Sequence, residues 1–277
     1  MIMSQTLSAV STAGDDQKTP ENIELLHTGE EMLRAESLKR IAVLPDMVMH
    51  LAMVEHSMDL INALLPSSSV QDEDQLMLGN LGIRIFNALA AALKLMLSGY
   101  YQASGLQLRD VLETAFLLDY FSTDSQLITA WRTTSEVERK RAFKPVNIRI
   151  ALDNRDGFIE KKREEAYKLL CKLAGHATPE GIVMLVPQRG GKSVHCGPFL
   201  ENSALQALLS EAAKLAVQAA GAFRVVIRNE NLNQMEARIF FMEAEADWLE
   251  KFFAAKPDRT RIAEMRSQLA VAKLAKG

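Results

Sequence analysis

Apolar residues recur along this chain every three to four positions, the spacing of one helix face, from about residue 21 onward. The stretch 21–38 predicts a first helix, entered through Thr19-Pro20. Leu44-Pro45-Asp46 opens a second, because proline suits the first helical turn, and Pro66-Ser67-Ser68-Ser69 ends it near residue 65. Residues 72–98 and 100–121 predict two long helices, kinked or separated at Gly99, with Ala88 and Ala90 to Ala92 allowing close packing. Ser122-Thr123-Asp124 caps a short helix through Trp131, and Lys144-Pro145 opens another that ends near Asp156-Gly157. Helices over 158–174, 200–227, 234–255 and 259–275 follow, the last two split at Lys256-Pro257.

Residues 177–198 break the period. Gly181, Pro187, Gly190, Gly191, Gly197 and Pro198 surround an apolar run at 182–186, which reads as a long loop or a small hairpin. No internal repeat is present. The pattern predicts an all-α, multi-helix bundle of about nine or ten helices. It forms a single helical domain over 21–277.

A chain of 277 residues with 48% hydrophobic content can bury a large core without staples. Its two cysteines, Cys171 and Cys196, match no metal-ligand spacing, and Cys171 reads as a buried thiol on the apolar side of its helix. The longest uncharged run within the helices, 95–108, is too short to span a bilayer, so no membrane contact is expected. Residues 1–20 are Ser/Thr-rich and lack the basic and apolar regions of a signal peptide. They read as a disordered lead-in, and the protein as cytoplasmic. The net charge of −3 conceals an asymmetry: residues 1–80 hold 4 basic and 13 acidic residues, whereas 132–172 hold 12 basic and 7 acidic. A basic middle suits phosphate or an acidic partner. Because acids interleave it, it also reads as an ordinary solvated face, with no aromatic-plus-basic stacking platform.

Two segments carry candidate chemistry. The helix over 158–174 aligns Ile159, Ala166, Leu170 and Leu173 on one side and stops at Gly175, with His176 just beyond. Glu165, Lys172 and His176 then fall on one line at the border of the apolar face. A helix C-terminus favours a cationic imidazole, so His176 is a capping residue, a general acid/base or a phosphate contact. In the helix over 100–121, Arg109 and Glu113 lie one turn apart among apolar neighbours, where charges need partners. Gly190-Gly191-Lys192-Ser193 echoes the end of a phosphate loop, but Val186 stands where that pattern needs glycine. Loop contact with phosphate through Arg189 and Lys192 remains open. His50 and His56, six apart, lie on different helix faces and form no zinc pair, and neither metal nor cofactor is expected.

Leu108-Arg109-x-x-Leu112-Glu113, then Trp131, then Tyr167-x-x-Leu170-x5-His176 and Thr178-Pro179 resembles the arrangement in bacterial HEPN-like helical proteins, of the higher eukaryote and prokaryote nucleotide-binding superfamily. The resemblance covers roughly residues 75–225. It implies an interaction module of a mobile-element, phage-defence or stress system, homo-oligomeric, binding a partner protein or RNA. Active members are metal-independent RNases with an arginine four to six residues before a histidine. Here the basic residue ahead of His176 is Lys172, with three residues between, and lysine lacks arginine's bidentate fork. The catalytic alternative would use His176 as acid/base, with Lys172, Arg109 or Arg189 on phosphate and Glu113, Tyr167 and Lys192 nearby. A plain scaffold is the third alternative.

Overall fold

The order of helices follows from where the backbone can begin and end them. The computed structural model describes residues 20–67, 70–187, 191, 193–228 and 231–275. The lead-in expected over 1–20 lies outside these, apart from Pro20. The chain runs α1 (Glu21–Ala42), α2 (Pro45–Ala63), α3 (Glu73–Leu97), α4 (Tyr101–Phe121), α5 (Gln126–Thr133), α6 (Glu136–Ala142), α7 (Pro145–Asp156) and α8 (Lys162–Leu170). A π turn (Cys171–Gly175) and a 3-10 segment (Glu180–Leu185) follow, then α9 (Asn202–Val226), α10 (Leu232–Phe253) and α11 (Arg259–Leu274). Among the described residues there is no strand, so the fold is an all-α multi-helix bundle.

The starts are chemical. Pro45 and Pro145 occupy first turns, where a missing N–H costs nothing. Asp72 Oδ1 accepts from the N–H groups of Asp74 and Gln75, and Asp258 caps α11 through Arg261 N–H. Gly99, at φ 88°, ends α3 and lets the Phe199 backbone press against it, where any Cβ would clash. The expected break there is therefore a full separation of two helices.

The core lies among α2, α3, α4 and α9. α4 buries Leu108, Val111, Leu112, Ala115 and Leu118, and α9 brings Ala212, Ala213, Ala216, Ala219 and Ala220 against it and α2. Small residues at this spacing let helix axes approach closely. α3 is long and apolar enough, by length and composition, to cross a membrane. Here ten of its residues are buried, mainly against α4 and α9. α10 packs on α2, and α11 on α10 through Ile239, Ala246, Ile262 and Leu269. Arg238 donates to the carbonyls of Arg224 (2.5 Å) and Ile227 (2.9 Å), satisfying the end of α9.

Two expectations change. The described residues hold eleven α-helices, and the one not anticipated is α6, a seven-residue, mostly charged segment too short to show periodicity. The apolar run at 182–186 belongs chiefly to a 3-10 segment, and the described residues of 177–198 contain no strand of a hairpin. His195 N–H donates to Leu185 O (2.9 Å) and folds this loop back on itself.

Candidate functional site

On α4, Gln102, Arg109 and Glu113 recur at i, i+7 and i+11, forming one half-buried stripe beside the core face. The π turn lies along it. Gln102 Nε2 donates to Leu173 O (3.2 Å) and Gly181 O (3.0 Å), fixing the turn at one end. Gly175 rests against Arg109, whose Cδ would stand 3.1 Å from a Cβ there.

Arg109 Nη2 donates to Glu113 Oε1 (2.7 Å) and to the Tyr167 hydroxyl (3.0 Å). Burial works against the Arg109 charge, yet Tyr167 and Glu113 hold the proton on more strongly, and its pKa is raised. Burial likewise raises the Tyr167 phenol, against the pull of Arg109. The network thus joins Arg109, Glu113 and Tyr167, three of the residues anticipated from the sequence.

A fourth member was missed. Arg149, on α7, is 7% exposed, and its guanidinium carbon lies 4.1 Å from the centroid of the Tyr167 ring. That of Arg109 lies 5.3 Å from the same centroid. Nε and Nη1 of Arg149, and Nε of Arg109, are buried without a hydrogen-bond partner. A buried donor left unpaired typically costs about 1–3 kcal/mol, so the cluster is stabilising only in part. The signal was a charge between Ile148 and Ile150, the same kind of signal that Arg109 gave in its own helix.

Other assignments are corrected. Glu165, Lys172 and His176 do not continue one helical line, because the helix passes into a π turn at Cys171 and His176 stands beyond it in extended backbone. Lys172 pairs instead with Glu180 (3.2 Å). Ile159 precedes α8 and is exposed rather than on its apolar side, and Cys171 is half-buried rather than buried. His176 lies past the helix stop as expected, in extended backbone, exposed, with its N–H donating to Cys171 O (3.0 Å). It adjoins the network only through Gly175. Arg189 and Lys192 lie outside the described residues.

Glu113 also lines a cleft of about 270 Å³ with Trp131, Phe143, Pro145 and Ile148. None of Tyr167, Lys172 and His176 lines it, so the cleft and the histidine stand apart, connected by Arg109 and Glu113. Arg139 lies over the Trp131 ring, 5.9 Å from its centroid. This brings together aromatic and basic residues that look unconnected in the sequence. Of the twelve basic residues in 132–172, seven pair with carboxylates. Arg139, Arg141, Lys144, Arg149 and Lys161 have no such partner among the described residues.

His50 and His56 serve packing. His50 Nδ1 accepts from Trp248 Nε1 (3.0 Å) and the ring stacks on Phe252 at 4.2 Å, while His56 meets the edge of Phe240.

The chain matched no family model, no curated protein and no solved structure.

Proposed function

We propose that this protein is an interaction module that binds single-stranded RNA across α6, α7 and the start of α8. One observation carries this reading: Arg139 lies over the ring of Trp131, which lines a cleft with Phe143, and the exposed Arg141, Lys144 and Lys161 on the same stretch of chain have no carboxylate partner among the described residues. Single strands are held by phosphate contacts together with bases stacked on aromatic rings, which is the combination this face offers. The paired basic residues contribute less, since their charge is already neutralised locally.

Fluorescence anisotropy with a labelled RNA oligomer over a salt series tests it. For roughly three to five phosphate contacts, log K should fall against log salt with a slope of about −2 to −3.5. Replacing Arg141 and Lys144 together by Gln should flatten that slope by about 1 to 1.5. Affinity independent of salt, or no binding at about 50 mM salt, would sink the proposal.

The exposed His176 beside the Arg109-packed Gly175 supports a second reading, cleavage of the bound RNA with His176 as acid/base. Expression of wild type and His176→Ala in cells tests it by growth and RNA integrity. Intact RNA and equal growth in both, with folded protein, would leave binding alone.

A further inference from the structure

Among the described residues Arg109 pairs with Glu113, but Arg149 makes no ion pair. Glu164 of α8 feels the Arg149 charge but is itself bound to Lys168 (2.5 Å). Both guanidinium carbons lie within 5.3 Å of the Tyr167 ring centroid. Three of their nitrogens are sealed from water with nothing to donate to. Arg149 is more than nine-tenths buried, so this is no flexible surface cation.

The geometry points to a binding site for a single phosphate group, gripped by the Arg109 and Arg149 guanidinia over Tyr167. This rests on the reading of the α6–α8 face as the binding surface, and it names the group recognised there. A phosphate supplies several acceptor oxygens around one centre, matching donors that arrive from two helices. Planar guanidinium forks suit such an oxyanion better than lysine does. Tyr167 fixes both forks before the ligand arrives, one by a hydrogen bond and both through its ring, which lowers the ordering cost of binding. The Arg109 side chain is 22% exposed, so the anion enters from its side. The phosphate could be part of an RNA strand or of a free phosphorylated molecule.

The full chain is titrated with inorganic phosphate at matched ionic strength in chloride, with a ribonucleoside monophosphate, and with the RNA oligomer. Melting temperature and the phosphorus NMR signal are followed. Inorganic phosphate at about 100 times its Kd should raise the melting temperature by roughly 5–10 °C. Arg149→Leu should abolish that rise, and Arg149→Lys should weaken binding by about tenfold. Without phosphate, Arg149→Leu should melt at or above the wild-type temperature, because it removes a buried charge that lacks a carboxylate. A structural arginine would instead give a lower melting temperature.

If Arg149→Leu does not fold, the phosphorus signal with wild type and Arg149→Lys still gives an answer. No thermal response and no perturbed signal in wild type overturns the inference, even if RNA binds with the expected salt slope. Phosphate binding that depends on Arg149, without RNA binding, upholds the site and removes the RNA reading. Binding of both with a common loss in Arg149→Leu places the site on an RNA strand.

Discussion

Arg109 lies against Gly175, with its Cδ 3.1 Å from where a Cβ would be. This contact connects the charged stripe of α4 to the turn that carries His176. A small residue is needed there because the guanidinium is already held by Glu113 and Tyr167 and has little room to retreat.

Gly175→Ala should be close to neutral, since gained helix propensity of up to about 1 kcal/mol offsets the crowding. Gly175→Val should cost about 1–3 kcal/mol by overpacking. Urea unfolding of the two variants checks the order, and equal stabilities would contradict the contact.

Arg109 and Glu113 should show coupling of about 1–2 kcal/mol in a double-mutant cycle using Arg109→Met and Glu113→Gln. The side chains are 22% and 29% exposed, enough cover for the pair to exceed an ordinary surface bridge. Strict additivity of the two substitutions would count against the network.

Arg224 stands 3.1 Å from Glu245, whose pKa burial raises against the pull of that arginine. Arg224→Leu alone should destabilise by about 3 kcal/mol, because a buried carboxylate loses its partner. Adding Glu245→Leu should restore most of this. Thermal melts of the single and double variants provide the comparison, and a double variant no better than the single one contradicts it.

His50 makes stability depend on pH. Burial lowers its pKa, opposed by Asp46 and aided by Lys214 and Lys251. Above the unfolded value of about 6.5 both states are neutral and the full stability is present. As pH falls below that value the unfolded chain takes up a proton that the folded ring resists, so stability drops. Urea midpoints at pH 7.5 and pH 5.5, followed by Trp248 fluorescence, should therefore fall in wild type. The fall should be smaller in His50→Gln, and an identical fall in that variant would assign it to other groups.

Much of the fold was legible because helices are local. Pro45, Asp124 and Pro145 marked starts, Gly99 and Gly157 marked ends, and apolar spacing picked out the faces that α3, α4 and α9 bury. α6 escaped because its seven residues bury nothing. The 3-10 segment escaped because a short apolar run carries no period of its own. Of the candidate site, Arg109 and Glu113 were visible as charges on an apolar helix, whereas Tyr167, on a mostly charged helix, entered only through the family resemblance. Arg149 gave a similar signal, but its importance depends on the ring it covers, which comes from another helix.

The sequence by itself determined the helices, their caps and the face each turns inward, since those depend on residues a few positions apart. Only the tertiary structure decided which charges meet. Lys172 pairs with Glu180 of the 3-10 segment that folds back beside the π turn, and His176 is left exposed beyond that turn. Arg109 and Arg149, forty positions apart, came to one tyrosine ring because α7 and α8 pack on α4. Such long-range partners are set by the packing of whole helix faces, which no local pattern specifies.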